Sequence, residues 1–290
     1  MSRPTITVAI PFRDEERHLA AAVRSVLHQT FDDFELLLVD DGSTDASLAI
    51  ARSFHDPRIT VLADGMRRGL PARLNEIVRR ARADLVARMD ADDVVHPTRL
   101  ARQLEAMRAD PTLDVVGTWA ALIDEDEVPF AVAEQAELPA TEARALERGL
   151  LAHATILAKR SWHLANPYDE ALTRAEDRDL WCRTAATTRF GVVPEVLYVV
   201  RVSTHDAHFL RDYLVAHRQN RRIFLRHGPR AVGVPRTARL VAASAAKSAI
   251  MRVAHAAGLS SRIVRRRGRP PTDTERAKIR EALASSRQEP

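Results

Sequence analysis

The sequence predicts an α/β chain: a mostly parallel sheet flanked by helices, with a helical C-terminal extension. Three observations predict it. Strand and helix signals alternate through the first hundred residues, the pattern of a parallel sheet covered on both faces. The strand candidates read as buried strands, the second of them, 35–39, rich in Leu and Val. Beyond about residue 205 the pattern is helical throughout.

Residues 6–10 read as a buried strand. Residues 15–27 follow as a helix, with Leu19, Val23, Val26 and Leu27 at helical spacing. Residues 35–39 are a second strand, and Ser43 or Thr44 is placed to cap a helix running through Phe54. Asp56 and Pro57 break that helix, and 59–62 is a third strand. Leu70, Leu74, Ile77, Val78 and Ala81 mark the next helix, and 85–89 is the fourth strand. Pro97 stands where a first-turn proline opens a helix to about Ala109. Residues 114–123 are strand-like; 124–150 are acidic, poor in large apolar side chains, and read as a loop with a short helix. A helix over 177–184 and a strand over 191–200 follow. Residues 268–271 form a linker, and Thr272 with Glu275 makes a capping-box pattern for a last short helix. The expected division is a sheet domain over 1–205, a basic helical extension over 206–267, and a linker with terminal helix over 268–290.

With 290 residues, 46% of them hydrophobic and 29% charged, the chain has enough apolar material for a sizeable core and is not of disordered composition. Its single cysteine, Cys182, excludes an internal disulfide and fits a reducing compartment. The N-terminus lacks a signal-peptide pattern, and the longest apolar stretch, 240–258, is interrupted by Lys247, Arg252 and His255. A cytoplasmic location is expected, peripheral to the inner face of the cell membrane if the tail meets lipid. The charge is uneven: residues 220–290 hold 17 Lys and Arg against 4 Asp and Glu, a balance of +13, leaving −8 for the rest. Such a tail either meets an anionic partner or is a solvated helical face. It has no aromatic residue after Phe224 to stack on bases, so lipid is expected rather than nucleic acid.

Ligands of open parallel sheets bind outside the C-terminal ends of the strands. Three acidic clusters stand at such places. Asp40-Asp41-Gly42-Ser43 follows the second strand, where carboxylates can accept hydrogen bonds from a ribose or base, although the same residues also build a plain turn. Asp90-Ala91-Asp92-Asp93 follows the fourth strand. Its crowded carboxylates suit Mg2+ or Mn2+, which can bridge to a diphosphate and neutralise charge on a leaving phosphate. Glu176-Asp177 opens a helix, where a carboxylate serves either as a cap or as a general base. Glycine-rich phosphate loops, zinc spacings and a serine elbow are all absent. His153, His163, His205 and His208 are scattered and read as structural or solvated.

Together these motifs resemble the family 2 glycosyltransferases, which have the GT-A fold, a Rossmann-like sheet. The resemblance spans about 5–205. It rests on the opening strand and loop around Pro11 and Glu15, on Phe34 to Asp45, on Arg68-Gly69-Leu70 with Asn75, on Met89 to Asp93, on His153-Ala154-Thr155, and on Ala175 to Trp181. It implies a nucleotide-sugar donor, transfer to an acceptor hydroxyl with inversion, and a Mn2+ or Mg2+ cofactor. Pro11, Glu15 and Asp41 would line the nucleotide pocket, with Arg13 beside them. Asp90 would face the ribose or diphosphate, and Asp92 would hold the metal. Asp177 would be the base, with Glu176, His153 and Trp181 on the acceptor side. The acceptor implied is a glycan or lipid-linked glycan of cell-surface polysaccharide or glycolipid synthesis. Two positions depart from the family pattern. Arg13 and Asp14 replace an aromatic residue and Asn, and Ser203 stands where an Arg-x-His motif starting at Arg201 would place its His. The rival readings are a nucleotidylyltransferase of similar sheet, against which 11–17 contains no Gly, and a non-catalytic protein docking on a membrane through its tail.

Overall fold

The computed structural model describes residues 3–135, 140–203, 209–265 and 268–289. Among the described residues nine strands form one sheet: β1 (Ile6–Phe12), β2 (Phe34–Asp40), β3 (Ile59–Leu62), β4 (Leu85–Arg88), β5 (Val94–Val95), β6 (Val115–Ile123), β7 (Pro129–Ala133), β8 (Leu157–Lys159) and β9 (Phe190–Arg201). The order is β3-β2-β1-β4-β8-β6-β9-β5, with β7 on β6. The first four strands are parallel throughout, as the alternation of strand and helix signals predicts. From β8 onward the sheet is mixed: β8 is antiparallel to both β4 and β6, β5 to β9, and β7 to β6, while β6 and β9 are parallel.

The helices are α1 (Leu19–Leu27), α2 (Ser47–Ser53), α3 (Leu70–Arg80), α4 (Arg99–Ala109), α5 (Glu142–Arg148), α6 (Arg160–Ala165), α7 (Glu176–Thr184), α8 (Phe209–Ala231), α9 (Val234–Ala256), α10 (Ser260–Val264) and α11 (Asp273–Ser285), with a 3-10 turn at His153–Thr155. The pleat of β1 explains the two-sided cover. Ile6, Val8, Ile10 and Phe12 pack with Leu19, Val23 and Val26 of α1, while Ala9 joins Leu74 and Ile77 of α3 on the other face.

Several local expectations change. Neither Ser43 nor Thr44 caps α2, which starts at Ser47. Both are committed across the loop: Ser43 Oγ accepts from the Asp14 N–H at 3.2 Å, and Thr44 N–H donates to Asp14 Oδ1 at 2.8 Å. Pro97 lies two residues ahead of α4. The acidic 124–150 segment contains β7 as well as α5.

The terminal helix packs on the sheet rather than standing free of it. Ile279, Ala282 and Leu283 of α11 pack on Val94, Val132, Val196 and Val199. Arg269 pairs with Val132 through both backbone hydrogen bonds, 2.7 and 3.2 Å. That approach needs glycine at 268, where φ is +76° and an added Cβ would stand 2.3 Å from the Val132 carbonyl oxygen. The capping box of Thr272 and Glu275 is present. His205, His208, Arg266 and Arg267 lie outside the described residues.

Candidate active site

The acidic loop after β4 is positioned by backbone contacts on both sides. Met89 N–H donates to the Ala9 carbonyl of β1 at 3.0 Å. Asp90 N–H donates to the Tyr198 hydroxyl at 3.0 Å, and Asp93 accepts the Arg201 N–H at 2.9 Å. So β1 and β9 hold the loop between them. Oxygens of Asp90, Asp92 and Asp93 lie within 4.8 Å of one another. Burial and the charge of Asp90 push the Asp92 carboxyl up to about 6, and burial and Asp92 push Asp93 well above the usual carboxylate range. Three oxygen donors that repel one another this strongly fit a hard divalent cation.

Beneath the loop lies Arg88, the last residue of β4. Its guanidinium is buried and contacts Asp90 at 2.7 Å, while its Nε has no hydrogen-bond partner among the described residues. Burial lowers its affinity for the proton, but the charges of Asp90 and Glu176 outweigh that and raise it. Arg88 thus feels both the acidic loop and the start of α7, and His153 feels both Asp90 and Asp177. The second and third acidic clusters of the sequence converge on one site.

The first turn of α7 carries three acids in different states. Asp179 is fully buried and tied to Arg183 at 2.7 Å and His227 at 3.1 Å. Glu176 is buried, with Oε1 3.6 Å from His153 Nδ1. Asp177 is partly exposed and makes no hydrogen bond or ion pair among the described residues. The helix begins after Ala175 in the left-handed region, at φ 62°, and has no side-chain cap, so no carboxylate is consumed in capping. His153 Nε2 meets the Tyr168 hydroxyl at 2.7 Å, and burial lowers its pKa to about 3, so the ring is neutral. Trp181 is completely buried, edge-on to His153 and stacked with Trp162. Trp181 thus packs behind His153, and, with no exposed surface, it does not line an acceptor surface.

On the other side, the β1–α1 loop is stitched to the β2–α2 loop. Asp14 holds Thr44 from a left-handed conformation, φ 53°. Glu15 N–H donates to Ser47 Oγ at 2.7 Å, and Ala46 N–H to Glu16 at 3.1 Å. Pro11 is buried at the end of β1; Arg13 is half-buried beside Asp14 at 3.2 Å. Asp41 accepts the N–H groups of Arg68 at 2.7 Å and Gly69 at 3.0 Å, and Arg73 Nε at 3.0 Å. It anchors the 66–69 turn over the strand end. Arg73, which the sequence reading passed over, is the hub of this floor: its buried guanidinium binds Asp41, Asp64 and Glu76. The signal was present, since Arg73 shares the buried face of α3 with Leu70, Leu74 and Ile77, and a charge there requires partners.

Residues 7–155 match the model of the family described as Glycosyl transferase family 2. The chain belongs to that family. EpsE of Bacillus subtilis (strain 168), a glycosyltransferase by name, is 32% identical over 213 residues, covering 69% of this chain and 74% of EpsE. A chondroitin synthase of Escherichia coli is 25% identical over 67% of this chain, which spans only 28% of that protein. Among solved structures, the mannosyltransferase PcManGT from Pyrobaculum calidifontis, in complex with GDP-Man and Mn2+, superposes with a TM-score of 0.61 at 18% identity. The match covers 99% of this chain and 86% of that one, and at this identity it shows the fold, which is GT-A. The family 2 chain is thus a glycosyltransferase enzyme, and the nucleotidylyltransferase and non-catalytic readings fall away.

Proposed function

We propose that this family 2 glycosyltransferase is metal-dependent and inverting, and that it moves a sugar from a nucleotide-sugar to an acceptor hydroxyl. Its acceptor is a growing glycan or lipid-linked glycan in polysaccharide or glycolipid synthesis, a reading supported by the similarity to a chondroitin synthase. The observation that carries the proposal is the convergence of the crowded Asp90–Asp92–Asp93 loop with Asp177, whose carboxylate has no hydrogen-bond or ion-pair partner among the described residues. Mn2+ or Mg2+ would be held by Asp92 with Asp90; when bound, it neutralises charge on the departing diphosphate.

The remaining chemistry belongs to the chain's own residues. Asp177 takes the proton of the acceptor hydroxyl. The acceptor oxygen bonds to the anomeric carbon as the carbon–oxygen bond to the diphosphate breaks, and that electron pair leaves with the diphosphate. A single displacement inverts the centre. His153 keeps Glu176 oriented beside the base. The loops of Pro11, Arg13, Glu15 and Asp41 form the nucleotide side, already ordered by their mutual hydrogen bonds.

The experiment is a panel of nucleotide-sugars with Mn2+ or Mg2+, scored for binding, slow hydrolysis and transfer, run in parallel on Asp92→Ala. Cation-dependent binding of one donor, lost in the variant with the fold intact, is expected. Full activity in excess chelator, or in Asp92→Ala, would sink the metal assignment.

A further inference from the structure

Residues 213–272 contain 14 Lys and Arg and no Asp or Glu. Two groups stand out among those that lie in the described residues. Arg226, Arg236, Arg265 and Arg269 turn toward the sheet domain and pair with Asp169, Glu147, Asp124 and Glu134. Arg218 and Arg222 of α8, Arg239, Lys247 and Arg252 of α9, and Arg262 of α10 are exposed, and none has a carboxylate partner among the described residues.

The same helices leave apolar surface uncovered. α9 buries Ser244, Ser248, Met251 and Ala254 on one side, where Ser244 Oγ meets His217 at 2.9 Å. On the opposite side Ile250 is 58% exposed and Val253 72%, and Leu259 beyond the helix end is 39% exposed. With Ala249 and Ala257 these three line an open, almost wholly apolar depression. At 3.6 residues per turn, Lys247 and Arg252 fall on opposite flanks of the Ile250–Val253 ridge, and Arg239 extends its line. Part of the expected amphipathic face is spent elsewhere: Leu240 packs against the core, and Val264 is buried. What remains is a short aliphatic ridge edged by unneutralised cations.

We propose that this α9 ridge and its flanking cations dock the enzyme on an anionic lipid bilayer surface. The charge complementarity selects that occupant. A second copy of the chain would set these cations against their own kind, whereas anionic headgroups neutralise them while the aliphatic side chains enter the interface. No helix among the described residues is long and apolar enough to cross a membrane, so the attachment is interfacial. None of these residues belongs to the acidic loop or α7, and the proposal does not depend on the donor reading.

The test is vesicle co-flotation of the full chain, with vesicles of phosphatidylcholine alone or mixed with phosphatidylglycerol. Binding should require the anionic lipid and weaken with salt. Ile250→Glu/Val253→Glu should lose binding by about tenfold or more. Lys247→Ala/Arg252→Ala should lose about fivefold for each charge removed. All four side chains are exposed, so unchanged melting curves and unchanged donor-nucleotide binding should accompany these losses, which separates this proposal from the catalytic one. Wild-type protein that ignores anionic vesicles would overturn it, as would equal binding by the Glu variant. So would a dimer that the Glu substitutions abolish in protein that does not bind vesicles.

Discussion

The guanidinium of Arg88 lies 2.7 Å from the carboxylate of Asp90, sealed from solvent at the foot of the acidic loop. It is a fixed positive charge standing under three mutually repelling carboxylates. It lets the loop exist without a cation while leaving Asp92 and Asp93 poorly compensated.

Replacing that charge should therefore expose the loop's need for a cation. Arg88→Met is expected to lower thermal stability in chelator, because removing one partner of a buried pair leaves the other uncompensated. Mn2+ should then raise the melting temperature of the variant more than that of the wild type. Differential scanning fluorimetry with and without Mn2+ reads both effects, and equal Mn2+-induced shifts would disprove this role.

Asp177→Asn keeps the size of the side chain and removes its basicity. Turnover should fall by about 10²–10⁴-fold with donor affinity little changed. Glu176→Gln, by contrast, alters a buried group that lies 3.6 Å from His153 Nδ1 and should also disturb folding. Isothermal titration of donor together with transfer rates separates the two roles. Collapse of donor binding with surviving turnover would make Asp177 a ligand.

Two buried histidines make stability pH-dependent. Burial lowers His153 and His163 to about 3, whereas the unfolded chain titrates both near the ordinary 6.5. Between those values the unfolded state binds more protons, so stability is full above about pH 6.5 and falls as the solution is acidified. Each group contributes at most about 1.4 kcal/mol per pH unit, about 2.7 for the pair. Denaturant melts between neutral pH and pH 5 should show this slope, and His163→Phe should remove roughly half of it. An unchanged slope in His163→Phe would contradict the assignment.

Gly268→Ala should cost about 2 kcal/mol or more, since the left-handed backbone is strained by a side chain and the Cβ collides with the Val132 carbonyl. Hydrogen exchange should quicken first at Arg269, Val132 and the amides of α11. A change spread evenly over the whole chain would argue against a local clamp.

The first four strands were legible because each is a short stretch rich in Val, Ile and Leu set between helical patterns, and the acids after β2 and β4 are among the residues the fold brings to one end of the sheet. β8 was not: three residues, Leu157–Lys159, are too few for a period to show. β7 was hidden in a stretch whose acidic residues dominate its composition. The difference between Asp177 and its neighbours was also invisible, because it depends on His227, Arg183 and His153, all distant from one another along the chain until folding aligns them. The placement of α11 escaped for a related reason. Its three core residues are outnumbered by charged ones, one of which, Glu281, reaches His96 at 3.3 Å.

Because α11 closes the layer behind β5 and β9, the strands flanking the acidic loop lack part of their cover until the segment beyond Gly268 has emerged from the ribosome. The parallel half of the sheet can assemble from its own local crossovers much earlier in synthesis. A nascent chain would thus hold an ordered parallel half-sheet beside an unfinished acidic loop. Full cover of that edge would arrive only once α11 has emerged, and a ribosome stalled before α11 would present a partly dressed sheet edge to chaperones.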